Sequence, residues 1–312
     1  MSALPLSIVV PCFNEQDSLP EFHRRMSAAA GATGEAYEIV FVDDGSSDRT
    51  WEVLRALSAT DPTVVAVKLS RNHGHQLALT AGLTQCRGER VLVIDADLQD
   101  PPELLGAMLA MLDAGADVVY GQRRSRAGET RFKTATAAAF YRLLRRLVEI
   151  DIPLDAGDFR LMSRRALDVL NAMPEHHRFI RGMVSWIGLR QVPILYDRDA
   201  RYAGETKYPL RKMIRFALDA ITGFSVAPLR LASVLGGVAA ALSLLLMIYT
   251  LGSWLLGHTT PGWTSLSSIV LLIGSVQLMV LGIIGEYLGR LYIEAKRRPL
   301  FVIETVVASQ RS

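Results

Sequence analysis

Charge is missing from one long stretch of this 312-residue chain. No Asp, Glu, Lys or Arg occurs between Arg230 and Glu286. That gap is long enough for two membrane-spanning helices of about 20 residues each. Cysteine is nearly absent as well. Cys12 and Cys86 stand far apart in no metal-ligand spacing, which excludes a disulfide scaffold and suits a reducing compartment. The formal net charge of +3 is too small to indicate a nucleic-acid partner. Residues Met1 to Val10 lack the basic flank and long apolar run of a signal peptide, and read instead as a first strand. There is no internal repeat and no low-complexity linker. Neither G-x-G-x-x-G nor G-x-x-x-x-G-K-[ST] follows the first apolar run, so dinucleotide and P-loop readings lose most of their weight.

What is present points to an α/β fold. Length allows about two domains, and half the residues are hydrophobic, enough for a sizeable core. Short β-branched runs at 6–11, 37–42, 63–69, 91–95 and 117–121 alternate with helical stretches near 16–30, 50–60, 74–86 and 101–113. That alternation predicts a doubly wound, Rossmann-like sheet with parallel pairs. The run Val91-Leu-Val-Ile ends in Asp95-Ala96-Asp97, and Pro101-Pro102-Glu103 then starts a helix. Side chains one residue apart in a strand face opposite ways, so these carboxylates converge only where the strand ends and the backbone turns. In open α/β sheets that edge is where ligands bind. Two carboxylates there suit a hard divalent cation that fills its remaining positions with water and phosphate. A polar loop in which Asp caps the next helix explains the same spacing, so spacing alone leaves both readings open. Strand one ends in Pro11-Cys12-Phe13-Asn14-Glu15 and strand two in Asp43-Asp44-Gly45-Ser46-Ser47-Asp48, at the same edge. Ser47 or Asp48 is an ordinary N-cap candidate. Capping does not account for three carboxylates in six residues.

The series VVPCFNE, VDDGSSDRT, IDADLQDPPE, GDFRLMSRR and RYAGETKY resembles the family 2 glycosyltransferases of GT-A fold. Within them it is similar to the polyprenyl-phosphate group of dolichol-phosphate mannose synthases and bactoprenol-phosphate glucosyltransferases. A single D-x-D is weak, but five motifs in order with two terminal spans, over roughly residues 5–300, are specific. The resemblance implies that Pro11, Asn14, Glu15 and Asp44 line a nucleotide pocket. It places Asp95, Ala96 and Asp97 at the sugar diphosphate, with Asp97 and Gln99 contacting Mg²⁺ or Mn²⁺. It places Asp158 on the acceptor side, where a catalytic base is the usual role. A phosphate monoester, however, has a second pKa of about 6 and needs little proton abstraction at neutral pH. Asp158 orienting the acceptor, or repelling a wrong one, stays open beside the base.

Basic segments flank these motifs. Arg123, Arg131 and Lys133 are expected to hold the lipid phosphate, and Arg201 and Lys207 to reach it or the departing diphosphate. Residues 131–150 carry an apolar stripe of Phe132, Phe140, Leu143, Leu144 and Leu147 opposite Arg142, Arg145 and Arg146. A solvated helix face and a helix lying on anionic lipid both account for it. Residues 207–224 repeat the pattern, with Leu210, Met213, Ile214 and Leu218 opposite Arg211, Lys212 and Arg215. Spans are expected at 231–256 and 265–289, joined by a connection without Lys or Arg. Arg230, Arg290, Lys296, Arg297 and Arg298 lie outside them on the other side, so the positive-inside rule puts catalytic domain and tail in the cytoplasm. The expected division is a GT-A domain over 1–228, a membrane hairpin over 229–292 and a tail over 293–312. Strand character in Pro299–Val307 predicts pairing with a neighbouring sheet edge and raises a homo-oligomer as a hypothesis. His73, His75, His176 and His177 need no catalytic role on this reading.

The resulting expectation is a membrane-anchored, metal-dependent transferase moving a sugar, by resemblance with inversion, from a nucleotide diphosphate sugar to a polyprenyl phosphate. UDP-glucose and undecaprenyl phosphate are favoured, although no motif identifies the sugar. Against a processive synthase, which would share the donor site, stand the missing Q-x-x-R-W and only two spans. A tethered transferase with a soluble acceptor, and an inactive nucleotide-binding scaffold, are the remaining alternatives.

Overall fold

The computed structural model describes residues 4–124, 153, 156–197, 225–257 and 262–308. The chain divides into two compact units: a mixed sheet with its helices, joined by the chain from Pro299 onward, and a pair of long helices.

The centre of the sheet is β1 (Leu4–Cys12), flanked in parallel by β2 (Tyr37–Asp43) and β4 (Gly88–Val93). Leu6, Ile8, Val9 and Val10 are all fully buried, as a strand covered on both faces requires. β3 (Val64–Leu69) continues beside β2. The helices α1 (Leu19–Gly31), α2 (Thr50–Thr60), α3 (His75–Gln85) and α4 (Leu105–Asp113) connect these strands, the last preceded by a 3₁₀ turn at Pro102–Leu104. Phe22 of α1 meets Phe41 of β2 edge-on at 5.9 Å within the main core. Close packing on the other face depends on Gly82 of α3, where a Cβ would sit 2.3 Å from Val9 Cγ1.

The five expected strands are present, but the sheet is not purely parallel. β5 (Val118–Arg123) does not pair with β4; β6 (Ala156–Ser163) lies between them, antiparallel to both. The Gly157-Asp158 sequence therefore belongs to a strand, where its composition also allows a plain turn. After α5 (Arg164–Ala172) and α6 (Ile180–Ile187), β7 (Gln191–Tyr196) runs parallel to β5 at one edge. The opposite edge is closed by β8 (Ile303–Ala308), antiparallel to β3, giving the order β7-β5-β6-β4-β1-β2-β3-β8. The strand expected in the tail thus pairs within its own chain. Ser70 N donates to Val302 O at 2.9 Å and Lys68 pairs with Glu304 at 3.1 Å, fixing its register.

The second unit holds α7 (Ala227–Leu255) and α8 (Trp263–Ala295), which pack against one another. Pro228–Ser253 and Ser268–Ala295 have mean hydropathies of 2.4 and 2.3 and almost no buried residues, so both are candidate membrane spans. Exposed apolar surface of that extent is consistent with membrane anchoring. Glu286 pairs with Arg290 one turn on, at 3.2 Å.

Candidate active site

The carboxyl ends of β1, β2 and β4 bring three sequence-predicted segments to one edge. Asn14 adopts a left-handed φ of 56°, a conformation that Asn tolerates better than most residues. Its N–H donates to Ser46 Oγ at 3.0 Å, and its Oδ1 accepts from Ser47 N at 2.9 Å. Glu15 N donates to Thr50 Oγ1 at 2.8 Å, while its carboxylate accepts from Ser18 Oγ at 2.7 Å. Asp48 receives Gln16 N and Thr50 N, so it stitches the two loops at the start of α2. Pro11 is buried inside β1, opposite Val42.

Asp44 is buried, and its two oxygens accept from His73 N at 2.7 Å and Gly74 N at 2.9 Å. Burial raises its pKa, and those two amides partly oppose the rise. Asp44 is thus a clamp on the loop that enters α3. Gly45 brings the same loop close: its φ is +67°, and a Cβ there would lie 2.6 Å from the backbone of Arg71. Gly45→Ala should cost about 1–3 kcal/mol from the backbone conformation alone, read as a lower melting temperature. A variant as stable as the wild type would show that the two loops separate easily.

The turn after β4 is crowded with carboxylates. Leu98 takes a φ of 59° and lets Asp97 Oδ1 accept from Gln99 N at 3.1 Å. Ala96 is buried between the two acids, and Asp100 accepts from the hydroxyl of Tyr196 on β7. Asp95 is pushed up to about 6, first by burial and then by the charges of Asp158, Asp100 and Asp97, with His75 opposing. Among the described residues no group of three His, Cys, Asp or Glu side chains surrounds one metal position. The turn nevertheless suits a divalent cation of the kind that takes one or two protein oxygens. The neighbouring charges raise the proton affinity of Asp95, and such a cation would relieve that repulsion.

Asp158, on β6, is buried and fully engaged. Oδ1 accepts from Arg181 Nε of α6 at 2.9 Å; Oδ2 accepts from Gln76 Nε2 at 3.0 Å and lies 3.1 Å from His75 Nε2. Burial alone would raise its pKa, but the Arg181 charge and the His75 contact hold it well below the usual carboxylate range. His75 also lies 3.6 Å from Asp95 Oδ1. Burial lowers the His75 pKa, but the Asp158 hydrogen bond and the Asp95 charge outweigh it, giving about 9. Behind this group the Arg160 guanidinium is buried and binds the carbonyls of Gly157 and Asp158. Arg123, at the end of β5, approaches Gly157 closely enough that a Cβ there would lie 3.4 Å from its Nη2.

His75, Gln76 and Arg181 are the contributors that the sequence reading passed over. The available signal was position: His75 and Gln76 open α3 at the carboxyl edge. Arg131, Lys133, Arg201 and Lys207, with both amphipathic segments, lie outside the described residues.

A carboxyl-edge site of this form is joined by a sequence match: the profile described as Glycosyl transferase family 2 covers residues 7–170. The chain belongs to glycosyl transferase family 2. A second profile, the GtrB C-terminal hairpin, matches residues 227–291, which contain nearly all of α7 and α8. Uncharacterized glycosyltransferase YkcC of Bacillus subtilis is 48% identical over 299 residues, covering 96% of this chain and 93% of that one. The prophage bactoprenol glucosyl transferase homolog of Escherichia coli K12 is 38% identical, covering 97% and 99%. The bactoprenol glucosyl transferase of Shigella phage SfV is also 38% identical, covering 96% and 98%. The family 2 domain has the GT-A fold, and with the GtrB hairpin behind it the chain fits the polyprenyl-phosphate glycosyltransferases, as its motif series implies.

Proposed function

We propose that this glycosyltransferase moves glucose from UDP-glucose to undecaprenyl phosphate at the cytoplasmic face of a membrane. The observation that carries the reading is the union, in one chain, of the carboxylate-lined edge and the apolar hairpin. Bactoprenol glucosyl transferases match nearly the whole chain, both parts included. A soluble donor reaches the sheet edge from water, whereas the acceptor is confined to the bilayer that the hairpin enters.

On this reading Asn14, Glu15 and Asp44 form or brace the nucleotide pocket, and Asp95 and Ala96 lie at the diphosphate. Asp97 and Gln99 would hold Mg²⁺ or Mn²⁺, which supplies neutralisation of the charge building on the departing diphosphate. Arg123, with Arg131, Lys133, Arg201 and Lys207, supplies cations for the lipid phosphate. That phosphate attacks the anomeric carbon on the side away from the leaving group, so the anomeric configuration inverts. Asp158 is a poor base here: three donors occupy its oxygens, and its pKa lies below the usual range. A dianionic lipid phosphate needs no base, so Asp158 orients Arg181 and His75 instead.

Acceptor choice tests the reading. Membranes given radiolabelled UDP-glucose should place label in the organic phase when undecaprenyl phosphate is added, and none on water-soluble sugar acceptors. Label on soluble sugars alone would assign the hairpin a merely tethering role.

A further inference from the structure

We propose that His75 is a positioning residue for sugar transfer, its ring tying Asp158 on β6 to Asp95 at the end of β4. The proposal rests on the transfer reading above and adds a residue to it. Three observations meet at this side chain. Its Nε2 lies 3.1 Å from Asp158 Oδ2 and 3.6 Å from Asp95 Oδ1, so one ring bridges two strands. Its backbone is aimed from behind, because Asp44 clamps the amides of His73 and Gly74, the two residues before it. Asp95 Oδ1 is itself buried without a hydrogen-bond partner, so the nearby ring is what answers its charge.

The charged groups facing His75 come from three elements: Asp95 from the turn after β4, Asp158 from β6 and Arg181 from α6. Two carboxylates held near one another repel, and a ring nitrogen within reach of both holds them in place. The bridged residues belong to the two halves of the reaction, with Asp95 on the donor side and Asp158 on the acceptor side. Fixing their separation fixes the approach of the attacking phosphate to the sugar. Asp158 keeps Gln76 and Arg181 when the ring is removed, so the loss is one of alignment and not of folding.

The test is steady-state kinetics of full-length protein in undecaprenyl-phosphate vesicles, using whichever of a set of labelled nucleotide sugars the wild type transfers. His75→Ala should lower kcat by about 10- to 100-fold, the scale of a small misalignment. The donor KM should change by less than about threefold, since donor binding is not removed. The variant should still fold with a single cooperative transition, its melting temperature falling toward the wild type's alkaline value because the ring's charge is gone. His75→Gln, which retains a side-chain N–H, should recover part of the loss. In an Asp158→Asn background His75→Ala should cost little more, because the ring acts through that carboxylate. Wild-type kcat in His75→Ala, or losses that multiply with Asp158→Asn, would overturn the proposal. Transfer from another sugar nucleotide but not UDP-glucose would change the donor and leave this test intact. No transfer from any nucleotide sugar would overturn the transfer reading and this proposal together.

Discussion

Asp158→Asn should lower lipid-directed transfer by about 100-fold or more, the scale on which a misplaced catalytic constellation loses rate. The buried carboxylate gathers Arg181, Gln76 and His75 around two oxygens. An amide cannot neutralise the two cations, and its NH₂ would point a donor at donors. Removing one partner of a buried ion pair is strongly destabilising, because the other charge remains. The same cluster sets a pH signature. His75 is raised to about 9, so its contribution to stability is full below about 6.5, its ordinary value, and disappears as pH rises to about 9. Asp158 is depressed, so its contribution is present above the ordinary carboxylate range and is lost only in stronger acid. Melting temperature should therefore decline between about pH 6.5 and 9 in the wild type. That decline should vanish in His75→Ala. An identical slope in the variant would assign it to other groups.

Asp97→Ala should abolish transfer, with a loss of about 1000-fold if it removes the oxygen that holds the cation opposite the diphosphate. The fold should survive, since the hydrogen bond from Gln99 N to Asp97 Oδ1 is local to the turn after β4. UDP should still bind through the pocket around Asn14 and Asp44, but Mg²⁺ or Mn²⁺ should no longer tighten it. Titration calorimetry with and without metal separates these effects. Equal metal enhancement in both proteins would move the cation site away from Asp97.

Much of the architecture was legible because parallel strands buried on both faces are written as unbroken β-branched runs. The runs at 6–11, 37–42, 63–69 and 91–95 all fall on strands of the central sheet, although the third strand begins at Val64 and the last stops at Val93. β6 was hidden by its own chemistry: Asp158 and Arg160 interrupt the apolar pattern, and only tertiary partners permit their burial. β7 was hidden by Pro193, which is tolerated because the strand lies at an edge. The carboxylates of the site were legible from their positions at strand ends. His75 was not, because a histidine after glycine at a helix start has no local pattern that distinguishes it. Its significance comes from Asp95 and Asp158, 20 and 83 residues away in sequence.

The most direct measurement is mass spectrometry of the lipid fraction from purified protein in undecaprenyl-phosphate vesicles supplied with UDP-glucose and Mg²⁺. Wild-type protein should give a hexosyl-phosphate polyprenol, and Asp97→Ala protein or a metal chelator should give none. No such lipid from wild-type protein that still binds UDP, or equal amounts from Asp97→Ala, would contradict metal-dependent transfer to the lipid.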